Sequence, residues 1–192
     1  MKKVLLFSTV LFAFSEAVMG SDGLLIDNFE NPNGKAVFGT AWEGFTDRVM
    51  GGRSTMNIGY EKHQGFDTLH MSGNISLENN GGFIQARLPL KKEDIPFDAG
   101  EYEGIAVTVK GEDTGYYLHL RTIRTVFPWS YYGAEISVTD EWQRIEIPFQ
   151  RFRSENMIKN DLNPRKLVSL GVVAAKKEFT ANLYVSKIEF YR

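Results

Sequence analysis

Cysteine is absent from all 192 residues, which removes thiol catalysis, disulfide frameworks and thiolate-based zinc or iron–sulfur sites. A charge excess of one sign is also missing. With 22 Lys and Arg against 24 Asp and Glu, the formal net charge is -2, so no field is present that would concentrate a phosphate polymer by counterion release. Nucleic acid is therefore not an expected partner. Histidine is scarce: only His63, His70 and His119 occur, and no pair has the i, i+4 spacing with a glutamate that a helical zinc site uses. Gly52-Arg53-Ser54-Thr55-Met56 lacks the second glycine of a nucleophile elbow, and Gly51-Gly52-Arg53-Ser54 lacks the spacing and lysine of a phosphate-cradling loop. No metal or cofactor signature is left. A carboxylate pair for glycoside hydrolysis has no sequence signature, because its defining separation is spatial. The chain accordingly reads as a protein that binds rather than catalyses.

A hydrophobic run long enough to span a bilayer is lacking as well. Met1, Lys2 and Lys3 are followed by the apolar stretch from Val4 to Phe14 and then by the small or polar residues Ser15, Ala17, Gly20 and Ser21, the order of a secretory signal peptide. About 20 apolar residues are needed to cross a membrane, and this stretch is shorter. Cleavage after Ala17, with Ser15 at the -3 position, or after Gly20, with Val18 there, fits the small-residue rule. The expectation is a signal peptide over residues 1–20 and an exported, periplasmic domain over 24–192 with no stable membrane span. The alternative is a domain held at the membrane by an uncleaved leader.

What the chain does have is 18 glycines and 13% aromatics, arranged as short alternating runs punctuated by Gly, Pro, Asn and Asp. In Gly104 to Gly111, Ile105, Val107 and Val109 alternate with Ala106, Thr108 and Lys110, the two-residue period of a strand. Tyr116 to Thr122 places Leu118 and Leu120 on one side and Tyr117, His119 and Arg121 on the other. Gly82–Leu90, Gly133–Thr139, Glu141–Phe149, Leu167–Ala174 and Asn182–Tyr191 read as further strands. Lys92–Ile95 and Phe149–Phe152 read as short helix-like pieces. Eight or nine runs without crossover helices predict an all-β fold, an antiparallel two-sheet jelly-roll sandwich, in one domain without repeats.

The side of the strands carrying Tyr117, His119 and Arg121, together with Gln85 and Arg87 on the alternation set of Phe83, gathers planar, amide and cationic groups. Such a face suits sugar hydroxyls, with rings stacking and guanidinium groups donating, although a solvated sheet face also carries these residue types. Trp129 and Tyr131 add rings in the loop that follows. Trp42 and Arg48 belong to a second constellation, Trp42-Glu-Gly-Phe-Thr-Asp47-Arg48-Val-Met-Gly51-Gly52-Arg53-Ser54. There adjacent glycines permit a sharp turn, Asp47 can accept from turn amides and Arg48 can reach a ligand. Asp27, Asn28, Glu30 and Glu189 read either as oxygen ligands for calcium or as ordinary acidic surface.

Taken together, Trp42, Asp47 to Ser54, Ser72-Gly-Asn-Ile-Ser76, Asn80-Gly-Gly-Phe83, Gly115 to Arg121, Trp142 to Phe149 and Gly171 to Phe179 resemble the complex I intermediate-associated protein 30 family, from about Leu25 to the C-terminus. The resemblance implies a galactose-binding-domain-like jelly roll related to carbohydrate-binding modules, with no catalytic residues to carry over. Mitochondrial members act as assembly factors that bind an intermediate of the respiratory complex. The implied function is thus that of a non-enzymatic binding protein, an assembly factor or chaperone for a protein complex; the alternative is recognition of an extracytoplasmic glycan. The leader here is short, apolar and lysine-bearing rather than an Arg-rich amphipathic transit segment. The expected ligand-binding residues are Trp42, Arg48, Gln85, Arg87, Tyr117, His119, Arg121, Trp129 and Tyr131.

Overall fold

The structure, a computed structural model, describes residues 23–90, 93–112 and 115–192; the expected signal peptide lies outside the described residues. Among the described residues twelve strands follow one another: β1 (Leu24–Asp27), β2 (Glu43–Thr46), β3 (Asn57–His63), β4 (Phe66–Ile75), β5 (Phe83–Pro89), β6 (Gly104–Gly111), β7 (Tyr116–Thr122), β8 (Tyr131–Ile136), β9 (Gln143–Pro148), β10 (Arg153–Glu155), β11 (Leu167–Ala175) and β12 (Phe179–Tyr191). They form two six-stranded sheets. One runs β3-β4-β12-β6-β9, with β1 also paired to β12; the other runs β10-β8-β7-β11-β5-β2. Each of these ladders is antiparallel. This is the jelly-roll sandwich expected of the sequence.

The period-two pattern decides which side of each strand faces the core. Leu118 and Leu120 of β7, Ile84 and Leu88 of β5 and Leu170 and Val172 of β11 are buried, and they meet Leu69, Met71, Val107, Val109, Leu183 and Val185 of the opposing sheet in one cluster. Full burial of a side chain of this size is worth about 1.5–3 kcal/mol relative to leaving it exposed. Among the described residues, the strands run from Leu24 to Tyr191 and pack on one hydrophobic core.

β6 and β7 keep the predicted boundaries, and the helix-like piece expected over Phe149–Phe152 is a 3-10 turn over Phe149–Arg151, with Phe152 extended. Of the helix-like piece expected over Lys92–Ile95, Lys92 lies outside the described residues and residues 93–95 are not helical. Residues 93 and 94 form a turn in which Glu93 and Asp94 take positive φ values of 50° and 66°. β3 and β4 are joined by a two-residue turn, Gln64-Gly65, with φ of 51° and 91°, as a tight hairpin requires. The sequence signal there is weak because Gln replaces the usual Asn or Asp.

Candidate functional site

Register across the second sheet places most of the expected residues on one outer face. Pairing aligns Phe45, Gln85, Val173, Tyr117 and Glu135 in one row. The next row is Glu43, Arg87, Gly171, His119 and Gly133. Arg121 stands opposite Ser169, which also faces Pro89, and Tyr131 stands opposite Glu155. Gln85, Arg87, Tyr117, His119, Arg121 and Tyr131 therefore share a face, because cross-strand partners and residues two apart point the same way. β11 supplies only Ser169, Gly171 and Val173 between them. A Cβ on Gly171 would overlap the Gln85 side-chain amide, which lies over the glycine.

The groups on this face are held by one another. The imidazole of His119 stacks on the Tyr131 ring, with centroids 3.7 Å apart and planes 12° apart. Burial, reinforced by the nearby Lys176 ammonium, pushes the His119 pKa down to about 3, so the ring is neutral at physiological pH. Its Nε2 has no hydrogen-bond partner among the described residues, and neither does Arg87 Nε. Burial, with the Glu155 carboxylate and Tyr117 beside it, pushes the Tyr131 phenol up to about 12. Lys176 sits 4.8 Å from the Tyr117 ring centroid and 3.5 Å from Glu155. Arg87 Nη2 donates to Glu43 Oε2 at 2.9 Å, and its guanidinium lies 5.1 Å from the Phe45 ring. Arg121 Nη2 donates to the carbonyls of Thr125 at 2.7 Å and Phe127 at 2.9 Å. Burial and then the Arg87 charge lower the Arg121 pKa. The face thus offers neutral rings, an amide and two fixed guanidinium groups, a set suited to orienting a ligand.

Three expected site residues stand elsewhere. Trp42 is a core residue: its ring packs 6.0 Å from Phe29, and its Nε1 donates to Asp27 Oδ2 at 2.9 Å. Large apolar area and a single donor that finds a carboxylate favour burial over display. Arg48 is exposed on the 3-10 turn Asp47–Met50, off the strand rows. Trp129 lies on the loop between β7 and β8, 53% exposed, with its ring stacked on Phe127 at 5.3 Å. Of the three carboxylates read as calcium ligands, Glu30 is exposed and the other two have protein partners. Asp27 accepts from Trp42 and the Phe29 amide, and Glu189 accepts from Arg144 at 3.0 Å and Lys187 at 2.5 Å.

A family model, Complex I intermediate-associated protein 30 (CIA30), matches residues 28–185. The chain belongs to this family. A comparison with curated protein sequences finds no match. Among solved structures, the CIA30 chain is similar to the family 11 carbohydrate-binding module of a Clostridium thermocellum cellulosomal cellulase. That similarity has a TM-score of 0.69 and 15% identity, over 89% of this chain and 95% of the module. A second structure of the family 11 module from the same organism, in complex with a β-1,3-1,4-mixed-linked tetrasaccharide, aligns with a TM-score of 0.66 and 14% identity over 88% and 95% of the two chains. A family 30 carbohydrate-binding module aligns at 0.52 and 16% over 71% and 73%. Identity this low shows a shared fold. Together with the CIA30 match, it supports a non-catalytic binding-domain fold.

The double-glycine blocks of the CIA30 chain have a structural purpose. Asp47 is fully buried. Its Oδ1 accepts from the Ser54 amide at 3.0 Å, and its Oδ2 accepts from the Ser54 hydroxyl at 2.5 Å and the Gly82 amide at 2.6 Å. A Cβ on Gly52 or Gly81 would collide with this carboxylate, so glycine at both positions lets two loops close around one acid. Burial pushes the Asp47 pKa up, and the hydrogen bonds from Ser54, Gly82 and Phe83 outweigh it, leaving the carboxyl below its ordinary value.

Several residues of the outer face were not foreseen: Phe45, Glu43, Lys176 and Glu155. Phe45 alternates with Glu43, but four residues with a central glycine carry little period. The opposite sheet has a ring stack of its own. Tyr184 lies between His63 at 3.8 Å and His70 at 4.2 Å, with Trp142 6.2 Å from His63. These rings come from β3, β4, β12 and the turn before β9, so pairing register alone brings them together.

Proposed function

We propose that this protein is a non-enzymatic binding module that takes an extracytoplasmic glycan on the outer face of the second sheet. The observation that carries this reading is the alignment of Tyr117, His119, Tyr131, Gln85, Arg87 and Arg121 on adjacent rows around Gly171, over which the Gln85 amide lies. Tyr117 and Tyr131 supply ring surface; Gln85, Arg87 and Arg121 supply donors to hydroxyl or acidic oxygens; His119 stays uncharged and supports Tyr131. Export to the periplasm, directed by the N-terminal leader, puts the module where such a ligand occurs. The likeness to a carbohydrate-binding module solved with a tetrasaccharide supports the same reading.

Family membership favours a second reading, an assembly factor or chaperone that binds a protein-complex intermediate. A glycan microarray followed by calorimetric titration separates the two. The expected result is glycan binding that weakens about ten-fold or more in Tyr117→Ala and Tyr131→Ala, as loss of a ring anchor does. A folded wild-type protein that binds no glycan while affinity purification recovers respiratory subunits would favour the second reading.

A further inference from the structure

The end of the sandwich beyond β7 and β8 carries an apolar tip. Ile123, Val126, Phe127 and Trp129 lie on the segment 123–130, and Ile158 lies on the segment between β10 and β11; their exposure runs from 53% at Trp129 to 88% at Ile158. Apolar side chains this large, gathered on a tip, mark a site that meets something other than water.

The two segments are fastened to each other and to the sheet. Asn156 Nδ2 donates to the Trp129 carbonyl at 3.1 Å, and the Ser130 hydroxyl donates to the Asn156 carbonyl at 3.0 Å. Tyr132 donates to Asn160, and Arg121 holds the Phe127 carbonyl. The tip is therefore presented as a built surface rather than as a loose loop.

Charge decides what it meets. Arg124, Lys159 and Lys166 are exposed around the apolar residues, with Asp161 the acid beside them; the Ile123 amide bonds to the Lys166 carbonyl. The chain enters the fold at the same end. β1 begins beside Phe190 near the end of β12, where β9 also ends and the chain passes through Phe149 to β10. The apolar stretch from Val4 to Phe14 lies a short way upstream of that point.

We infer that this tip is a membrane-contact surface: Phe127, Trp129, Val126, Ile123 and Ile158 enter the headgroup–acyl boundary of a bilayer while Arg124, Lys159 and Lys166 engage anionic lipid headgroups. An aromatic pair at a wet–apolar boundary, ringed by cations, matches the chemistry of that interface. Contact is shallow and reversible. Among the described residues no helix is long and apolar enough to cross a membrane.

The test uses residues 23–192, which carry every described strand and leave out the apolar leader that would bind lipid by itself, with far-UV circular dichroism confirming that this stretch folds. Co-sedimentation with phosphatidylglycerol–phosphatidylethanolamine vesicles is expected, with little binding to phosphatidylcholine and loss in about 0.5 M salt. Phe127→Ser with Trp129→Ser, and separately Arg124→Glu with Lys159→Glu and Lys166→Glu, are each expected to weaken binding at least about ten-fold. Far-UV circular dichroism checks that these exposed substitutions leave the fold intact. Absence of binding at every anionic fraction, or equal binding by wild type and both variants, overturns the inference. So does a concentration-dependent dimer lost in the Phe127→Ser, Trp129→Ser variant without any lipid affinity, which would assign the tip to a second copy of the chain.

Discussion

Asp47 and Trp42 show how one short segment divides its labour. Both are buried, and both engage protein partners: Trp42 spends its single donor on Asp27, and Asp47 collects the amides and hydroxyl that close two loops. Replacing Asp47 with Asn keeps the shape but turns half of the group into a donor facing other donors. A loss of about 2–4 kcal/mol in urea unfolding is expected, from unsatisfied buried groups; a change below about 0.5 kcal/mol would mean that the loops close without the acid. That Asp47 accepts from turn amides was legible in the sequence, since acids before paired glycines commonly do so. Burial of Trp42 was not. Its partner Asp27 is fifteen residues away, and only the fold brings the two together.

Among the elements, β11 determines the character of the outer face. Its side chains there are small, so Gln85 from β5 can lie across Gly171 between Arg87 and His119. A Gly171→Ala substitution displaces only the end of a flexible side chain. Stability is expected to stay within about 0.5 kcal/mol, while the glycan affinity proposed for this face, measured by titration, is expected to fall several-fold as the Gln85 amide swings away. Unchanged affinity in this variant would remove Gln85 from the set of orienting donors. The interior strands β5, β6, β7, β8, β11 and β12 and the edge strand β9 were visible as alternating or apolar runs because one or both of their faces are buried, whereas interior β4 was not, since Gly73 interrupts its apolar set Leu69, Met71 and Ile75. Edge strands β2, β3 and β10 were not, because a short or wet strand has no burial to impose a period. The same limit hid Phe45 and the His63–Tyr184–His70 stack, whose members become neighbours through pairing.

Over the whole molecule, stability against pH sums the groups that folding perturbs. His119 has a folded pKa of about 3 against about 6.5 when unfolded. Its contribution is complete above about pH 6.5 and drains as the pH falls toward 3, because the unfolded chain takes up the proton first. That loss is on the order of 3 kcal/mol by pH 4. Asp47 is held below its ordinary value against burial by its hydrogen bonds, and Glu189, also opposed by burial, is held down by Lys187 and Arg144. Their contributions are present above the unfolded carboxylate range and are lost as the pH falls below it. Urea midpoints between pH 7 and 3 should therefore decline in two stages, and His119→Phe should flatten the first while leaving the second. An unchanged first stage would show that another group supplies it. Period-two burial and turn residues in the chain admit an antiparallel sandwich and little else, so the layers were legible before any fold, and the spaced glycine blocks carried the family likeness. Which rings share a face, which tryptophan is core and which is tip, and where the cations gather emerge from the folded arrangement. Those outcomes depend on register between strands distant along the chain, and register is settled by how two sheets close over a common core.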